Sequence, residues 1–562
     1  MRASPRRKPS PDVVGLVLSG GGAKASFQIG ALRYLYDRVG IAPRIITGTS
    51  AGSMVAAVLA QSADGPSQRR SLGQLERLWR EMRTDADMFT ELEWFARLRQ
   101  RGPELVGALT RRQHRQGPLG RTFARVANQA LSRRDPDRPV PVRPDDPTAG
   151  STWGPTGVVE LFSALREVGR ARPDLEIIVR GAERERSMYR PGPLVDRLLD
   201  PDVFDPARVA SAGVVLRLAI VALESGELHY VTEDGHLVDR ENRPLAEDPV
   251  DLTEAVRASC AIPSVFPPVR LGNEHYVDGG VREALPFEVA HRHLGVTRCY
   301  TVVASALGVP RQGSYAEKDM LSIVVRSTAG IMSDETLRDE VEAARAAGAV
   351  VIAPELDVHD SLVVDPGLVA ISMDYGYLRA AEAVDGATDA EQQLTREIVE
   401  VRRRAWTLEA ELLAPDGRAD GASPVEGDDE EASVDGEAPG GGGRLAAKRG
   451  GRPAAASGST AAGSGGPGPA GTNDPGPDGA DDSGPDGSVA AGPDASGSSG
   501  PGADGGPGSG TSGMAALGAL KHRLRDLVAQ VPADRLPPGA EQWWQQLEGH
   551  PWEPTHRPDW VS

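Results

Sequence analysis

The chain has 562 residues, which is long enough for more than one domain, and a formal net charge of −18, which argues against general nucleic-acid binding. No window holds the ~18 consecutive apolar residues of a membrane span, and no hydrophobic segment follows the basic N-terminus, so we expect neither a transmembrane helix nor a signal peptide. Two cysteines, Cys260 and Cys299, cannot build a disulfide framework and indicate a reducing, cytoplasmic setting. Residues 1–11 are predicted to be disordered.

The first predicted elements form a strand, a turn and a helix. Val13–Leu18 is a short apolar run with β-branched residues and predicts a buried strand. Gly20, Gly21 and Gly22 follow it, and apolar residues at helical spacing then predict a helix that Gly40 closes. A side-chain-free turn at a helix N-terminus offers backbone N–H groups to developing negative charge.

The three glycines could also bind a phosphate, as in nucleotide-binding proteins. A P-loop ends in Gly-Lys-Ser or Gly-Lys-Thr, but the order here is Ala23-Lys24-Ala25-Ser26. A dinucleotide site needs an acidic residue at the end of the second strand, whereas Asp37 falls within the predicted helix. The sequence therefore disfavours nucleotide binding.

A second predicted strand, Ile45–Thr47, runs directly into the sequence GTSAG at residues 48–52. This is the G-x-S-x-G pattern of a nucleophile elbow, with a strand before it and a small-residue helix at 51–60 after it. Glycines on both sides leave room for a sharp turn that projects a hydroxyl into a cleft. The pattern predicts that Ser50 is an acyl nucleophile with an oxyanion hole beside it.

The next part of the chain is predicted to be a helical and basic insertion at about 62–195. It begins with a polar loop at Gln61–Ser71, followed by helices at Leu72–Met82 and Phe89–Leu98. Arginines and prolines then dominate. Such a region is typical of a solvated excursion, or of a lid that contacts anionic lipid headgroups over an active site.

The pattern from Val214 to Val231 predicts a β-hairpin, and Leu252–Ala258 predicts a short helix. Cys299–Ala304 and Val350–Ala353 predict buried strands that are separated by helical segments. This alternation predicts an α/β fold with a mostly parallel central sheet flanked by helices.

Asp278 ends a short apolar strand and precedes Gly279 and Gly280. An aspartate before two glycines is also a common turn cap, so this pattern alone does not separate a structural role from a catalytic one. In the predicted sheet, however, Ser50 and Asp278 both fall at carboxyl ends of strands, where ligands of such sheets bind.

The C-terminal part of the chain has a different composition. Thr388–Leu413 predicts a charged helix within 386–414, and residues 415–513 are mainly Gly, Pro, Ala, Ser and Asp, which predicts a disordered linker. Residues 514–562 are predicted to contain an amphipathic helix, Met514–Val531, and a tryptophan-containing tail. This helix could lie on a membrane interface, bind a partner or dock on the core, and the sequence leaves these alternatives open.

Four motifs, in this order, resemble those of the patatin-like phospholipases. They are Gly20-Gly21-Gly22-Ala23-Lys24, Gly48-Thr49-Ser50-Ala51-Gly52, Ala258-Ser259…Pro263…Phe266-Pro267 and Asp278-Gly279-Gly280. The resemblance covers roughly residues 12–380, and the corresponding domain is expected at 12–385. It implies a three-layer patatin-like α/β fold and a lipid acyl hydrolase with a Ser–Asp dyad.

The resemblance also implies roles for single residues. Ser50 would be the nucleophile and Asp278 its base, whose pKa partial burial would raise. The implied oxyanion hole is Gly20, Gly21, Gly22, Ala23 and Lys24, with Gly48 and Gly52 in the elbow and Gly279 and Gly280 after the aspartate. The family usually has glycine where Ala25 stands, a difference that concerns activity more than fold.

We therefore expect a serine lipid acyl hydrolase of the phospholipase A or lipase type that cleaves fatty acyl esters through an acyl-enzyme. It should need no cofactor or metal, bind no nucleic acid, and act on lipid at a membrane or lipid surface, as a cytoplasmic protein or peripherally on the inner face of the membrane. Residues 514–531 are available for a protein or membrane contact. Two alternatives stay open: a weak or inactive scaffold that acts through its tail and C-terminal helix, and an esterase with a Ser–His–Asp triad. Histidines available for such a triad are His275, His291, His293 and His359.

Overall fold

The computed structural model describes residues 12–100, 184–245, 248–309, 326–413 and 509–549, together with residues 177, 180, 181, 311 and 323. The N-terminal segment predicted at 1–11 lies outside these residues. Most of the basic insertion and most of the linker predicted at 415–513 lie outside them as well.

A mixed β-sheet forms the centre of the described chain. Its strands are β1 Val14–Leu18, β2 Ile45–Thr49, β5 Val215–Ala222, β6 Leu228–Thr232, β7 Leu237–Val238, β8 Val269–Leu271, β9 Glu274–Asp278, β10 Arg298–Val302 and β11 Val350–Ile352. Two further strands, β3 Phe89–Glu91 and β4 Tyr189–Pro191, pair antiparallel in a separate two-stranded sheet. The sheet order is β11-β10-β1-β2-β5-β6-β7, with β9 also paired to β5 and β8 to β9. Strands β11, β10, β1, β2 and β5 run parallel, whereas β6, β7, β8 and β9 are antiparallel to their neighbours. The predicted α/β class with a mostly parallel central sheet is confirmed.

Helices cover both faces of this sheet. They are α1 Ala25–Tyr34, α2 Ala51–Leu59, α3 Gly65–Glu81, α4 Pro193–Leu198, α5 Pro206–Ser211, α6 Leu252–Ser259, α7 Ser333–Ala346, α8 Pro366–Asp385, α9 Asp389–Leu413 and α10 Ser509–Val528. Along β1, Leu16 and Leu18 pack in one apolar cluster with α1 and α8, and Val17 packs in another with α7. This alternation places the buried strand between two helical layers.

Helices α1 and α8 approach each other unusually closely. A Cβ atom on Gly30 would collide with the carbonyl oxygen of Met373, and one on Gly376 would collide with that of Phe27. Glycine at both positions therefore allows the two backbones to come together. Helix α1 continues into a π-helical turn at Leu35–Val39, which ends at Gly40 as the sequence predicts.

Between residues 61 and 98, two boundaries differ from the sequence predictions. The predicted loop Gln61–Ser71 is too long, because α3 begins at Gly65: the Asp64 side chain caps this helix by accepting a hydrogen bond from the Ser67 N–H at 2.9 Å. The predicted helix Phe89–Leu98 is wrong at its start, since Phe89–Glu91 is strand β3. This strand pairs with Tyr189–Pro191, a partner too distant in the chain to influence local hydrophobic periodicity.

The amphipathic helix predicted at 514–531 begins earlier, at Ser509, and docks on α9. Its leucines Leu517, Leu524 and Leu527 are at most 1% exposed. They share apolar clusters with α9 residues such as Ile398 and Ala405. Of the three alternatives, a membrane interface, a partner or the core, the described residues show docking on the core.

Buried charges accompany this docking. The Lys521 ammonium lies 3.0 Å from Glu409, and the two side chains are 1% and 2% exposed. The Arg402 guanidinium pairs with Asp374 at 3.0 Å and with Glu548 at 2.8 Å. Hydrophobic patterning of α10 did not predict these pairs, because a lysine on the polar side of an isolated helix is ordinarily solvated.

Candidate active site

Ser50 occupies a strained turn between β2 and α2. Its backbone angles, φ 55° and ψ −130°, lie outside the regions that L-residues favour, and such strain costs of order 1–3 kcal/mol. Glycines make the turn possible, since a Cβ on Gly48 would lie 2.6 Å from the carbonyl oxygen of Gly52, and one on Gly52 would lie 2.5 Å from that of Ser19. The geometry is that of a nucleophile elbow.

Pairing with strand β5 places Asp278, the last residue of β9, next to this turn. Strand β2 pairs in parallel with β5 as far as Thr49 opposite Ala219, and β9 pairs antiparallel with Asp278 opposite Ile220. Strand β6 occupies the other side of β5 at Ile220, so β9 continues on the same side as β2. The two strands approach each other end to end, and their last residues meet.

The Asp278 carboxyl is buried beside Ser50, and both residues are 5% exposed. Its Oδ1 accepts a hydrogen bond from the Gly280 N–H at 2.8 Å. Its Oδ2 has no hydrogen bond of ordinary geometry to any described residue. Burial raises the pKa of Asp278 to about 6, while the neighbouring Ser50 hydroxyl and the Gly280 N–H favour the charged form and offset part of the rise. The carboxyl can therefore accept a proton close to neutral pH.

The glycines after Asp278 are required by close packing. A Cβ on Gly279 would lie 2.6 Å from the carbonyl oxygen of Ala219, and one on Gly280 would lie 3.1 Å from Asp278 Oδ1. Gly280 also supplies the N–H that orients the carboxyl. The pair of glycines allows the chain to turn immediately after Asp278.

The predicted oxyanion turn borders Ser50, since a Cβ on Gly20 would come within 3.2 Å of the Ser50 Cβ. Three of its five backbone N–H groups are already engaged. Those of Gly20, Ala23 and Lys24 donate to the carbonyl oxygens of Ala284, Ser361 and Gly21 at 3.0, 2.9 and 3.1 Å. The expectation that the Ala23 N–H faces an oxyanion therefore conflicts with this arrangement.

The N–H groups of Gly21 and Gly22 have no acceptor among the described residues, and the same holds for Ala51 in the first turn of α2. Gly22 has φ +57°, and a Cβ there would lie 2.6 Å from the Ser361 carbonyl oxygen. Two glycine donors, with a third from the helix N-terminus, remain available for an anionic oxygen.

Lys24 and Ala25 follow the turn. The Lys24 ammonium lies 2.7 Å from Asp357, so it pairs with a carboxylate of a downstream loop. Ala25 is fully buried at the start of α1 and has right-handed helical angles, φ −57° and ψ −16°. Glycine is not needed for such a backbone, so the departure from the family pattern introduces no strain at this position.

The histidines considered for a triad lie elsewhere. His275 pairs with Glu224 at 2.7 Å, His291 stacks on Phe287, and His359 Nε2 lies 3.2 Å from the Ser26 hydroxyl. Within the described part of the chain, no hydrogen bond joins any of these residues, or His293, to Ser50 or Asp278. The structure gives the triad alternative no geometric support.

Two residues that sequence reasoning gave no role contact the Ser50 backbone. They are Ser259 and Cys260, at the end of α6. Both belong to the Ala258…Pro267 motif, and the presence of this motif in the family resemblance was the sequence signal that could have identified them.

Among the described residues, no group of three or more His, Cys, Asp or Glu side chains is placed to hold a metal ion. No helix in that part of the chain has the length and apolar content needed to cross a bilayer.

Residues 16–291 match the family model of the patatin-like phospholipases. No curated protein sequence matches the chain significantly. Similar solved structures include VipD from Legionella pneumophila, at 15% identity and TM-score 0.27 over 72% of this chain and 77% of that one. The ExoU–SpcU heterodimer of the Pseudomonas aeruginosa type III secretion system matches at 16% identity and TM-score 0.23, over 72% of this chain and 62% of that one. Human GIVD cytosolic phospholipase A2, bound to methyl gamma-linolenyl fluorophosphonate, matches at 13% identity and TM-score 0.23, over 60% of this chain and 43% of that one.

Proposed function

Because residues 16–291 match the family model of the patatin-like phospholipases, we propose that the chain is a serine lipid acyl hydrolase of the phospholipase A or lipase type. In this proposal Ser50 is the nucleophile and Asp278 is its general base. The observation that carries the assignment is the juxtaposition of the strained Ser50 turn with a buried carboxyl that has one unpaired oxygen.

The first step forms the acyl-enzyme. Ser50 Oγ attacks the carbonyl carbon of a fatty acyl ester, and its proton passes to the Asp278 carboxylate. The C–O bond to the alcohol then breaks, and the leaving oxygen takes the proton from Asp278. A base with a pKa of about 6 suits this exchange better than an unperturbed carboxylate, because it accepts the proton more readily at neutral pH.

The second step releases the fatty acid. Water attacks the acyl carbon, Asp278 takes the water proton, and the bond to Ser50 Oγ breaks as the proton returns to the serine. In both steps a negative charge develops on the carbonyl oxygen. The unengaged N–H groups of Gly21, Gly22 and Ala51 support its stabilisation, and one such donor contributes about 2.7–4 kcal/mol.

The proposed substrate is lipid presented at a membrane or lipid surface, and the proposed setting is the cytoplasm or the inner face of the membrane. The apolar face of α10 is already packed on α9, so a partner or membrane contact through 514–531 would use its outer face or require undocking.

Hydrolysis of short- and long-chain acyl esters by the full chain tests the proposal. We expect wild type to release fatty acid and Ser50→Ala to lose the activity while it keeps its melting temperature. Ser264→Ala is a matched control, because Ser264 is another serine with positive φ, at 69°, but is exposed and, among the described residues, forms its backbone hydrogen bond with Met188 and none with Ser50 or Asp278. Activity that persists in Ser50→Ala would rule out the nucleophile, and folded but inactive wild type would favour the scaffold alternative.

A further inference from the structure

The backbone of Ser50 is held in its strained conformation from outside its own turn. Among the described residues other than glycine, only Ser50, Asn242 and Ser264 have positive φ. Ser50 is the buried member of this group. A conformation of this kind persists only where surrounding contacts enforce it. The contacts come from the end of α6.

Ser259 binds the N–H of Ser50. This N–H donates to Ser259 Oγ at 3.1 Å, and the same hydroxyl donates to the carbonyl oxygen of Ala219 at 2.7 Å. Ser259 is fully buried, so water cannot replace it. A small side chain that accepts one hydrogen bond and donates another is needed here, which serine satisfies and alanine does not.

Cys260 binds the carbonyl group of the same residue. Its thiol donates to Ser50 O at 3.1 Å, and the Ser53 hydroxyl donates to the same oxygen at 2.5 Å. Burial raises the pKa of Cys260, and the nearby Asp278 carboxylate raises it further, so the thiol keeps its proton and remains a donor. Adjacent residues of one segment thus hold both backbone groups of the nucleophile.

The next residue of the segment holds the acid. The N–H of Asp278 donates to the carbonyl oxygen of Ala261 at 3.0 Å. Three consecutive residues therefore contact the backbones of Ser50 and Asp278, which lie 228 positions apart in the sequence (278 − 50). A displacement of this segment would change the distance between the hydroxyl and the carboxyl.

We propose that Ser259, Cys260 and Ala261 form a positioning clamp that fixes Ser50 relative to Asp278. This inference rests on the proposed function, because it assigns the clamp to the reaction of that same pair. Neither clamp side chain touches the reacting atoms. Ser259 and Cys260 act through the backbone of the nucleophile and are positioning residues.

The test compares full-length Ser259→Ala, Cys260→Ala and Cys260→Ser with wild type. We expect Ser259→Ala to lower kcat, and the saturating rate of fluorophosphonate labelling, by about 10- to 100-fold, with KM nearly unchanged, because substrate contacts are kept while the attack geometry is lost. Cys260→Ala should have a smaller effect, about fivefold, since Ser53 still donates to Ser50 O. Cys260→Ser keeps a donor and should recover most of the loss.

Two further readouts separate positioning from general destabilisation. Loss of alignment withdraws the Ser50 hydroxyl from the Asp278 carboxylate, so the pH midpoint of kcat/KM should rise in Ser259→Ala. Amide hydrogen exchange in the peptide covering residues 47–53 should become about tenfold faster while distant peptides stay protected. Cys299→Ala is the matched control, because Cys299 is also buried but lies in a separate apolar cluster, where its thiol is 3.6 Å from the Thr301 hydroxyl.

Folded Ser259→Ala with wild-type kcat, pH midpoint and exchange at residues 47–53 would overturn the clamp. An equal loss in Cys299→Ala would overturn it too. If Ser259→Ala does not fold, the contrast between Cys260→Ala and Cys260→Ser decides. Wild type that is folded yet unreactive would overturn the proposed function instead, and the exchange measurement would still decide whether the segment holds the Ser50 turn.

Discussion

Thr49 and Asp278 are consecutive partners along one side of strand β5, opposite Ala219 and Ile220. The two residues end strands that run in opposite directions, so their next neighbours and side chains crowd into the same space. Ser50 follows Thr49 directly, so the pairing of both strands with β5 is enough to bring its hydroxyl to the Asp278 carboxyl. The proposed dyad is thus a consequence of strand register.

Burial of the Asp278 carboxyl, which raises its pKa to about 6, makes the proposed base a cost to stability at neutral pH. The folded chain holds the proton of this carboxyl up to about pH 6, whereas the unfolded chain releases it near 3.8. Stability therefore falls as the pH rises from about 4 to 6, and the full cost remains above 6. We expect Asp278→Asn to gain up to about 3 kcal/mol in the free energy of unfolding at pH 7.5 and nothing at pH 3.5.

In the same variant, hydrolysis should fall by about 10²- to 10⁴-fold, because the asparagine amide cannot accept the serine proton. Denaturant melts at the two pH values and ester hydrolysis measure both effects. A variant that is less stable at pH 7.5 and equally active would show that Asp278 is a structural turn cap.

The pH dependence of kcat/KM should reflect the ionisation of Asp278. We expect the value to decrease as the pH falls through about 6, since the protonated carboxyl is no base. Burial also raises the pKa of Glu283, to about 7, although the Tyr230 hydroxyl donates to it at 2.5 Å. Glu283→Gln is the control and should leave the midpoint in place. If the midpoint disappears in Glu283→Gln, the transition belongs to Glu283 and not to Asp278.

The glycine turn should tolerate no side chain at position 22. In Gly22→Ala the methyl group would meet the Ser361 carbonyl oxygen at 2.6 Å, and φ +57° would add strain. We expect a loss of about 10²- to 10³-fold in kcat with retained folding, because the oxyanion donors are displaced. Ala25→Gly, three positions on, should keep kcat and lose about 0.5–1 kcal/mol of stability. Equal kinetics in the two variants would exclude the turn as the oxyanion hole.

Docking of α10 should depend on its buried lysine. We expect Lys521→Met to destabilise the docked segment by about 3–5 kcal/mol, because it removes the cation that pairs with the buried Glu409 carboxylate and leaves that carboxylate with the Glu548 N–H as a hydrogen-bond donor. Limited proteolysis should then cut residues 509–549 faster. Arg523→Met is the control, since the Arg523–Glu397 pair is half exposed and should contribute at most about 1 kcal/mol. Similar proteolysis of both variants would show that the buried pair does not hold the segment.

Sequence patterns located the catalytic candidates more accurately than their surroundings. Val13–Leu18, the G-x-S-x-G turn and the glycines around residues 21 and 279 are recognisable in the local sequence, although the atoms that a Cβ on Gly21, Gly22 or Gly279 would meet belong to distant residues. The fold class followed from the alternation of strands and helices.

Features that depend on distant partners were not predictable. The Ser361 carbonyl that accepts from the Ala23 N–H lies more than three hundred residues away in the sequence, so no local pattern predicts this hydrogen bond. The same applies to β3, whose partner is Tyr189–Pro191, and to Lys521, whose burial requires Glu409 on α9. Such contacts arise from tertiary packing, which overrides local propensity.

The central claim is that Ser50 and Asp278 act together as nucleophile and base. Its most direct test is peptide mapping by mass spectrometry after treatment of wild type and Asp278→Asn with an alkyl fluorophosphonate. We predict a phosphonyl adduct on Ser50 in wild type and a labelling rate at least about 100-fold lower in Asp278→Asn. An adduct on a different serine, or equal labelling of Ser50 in both proteins, would contradict the account.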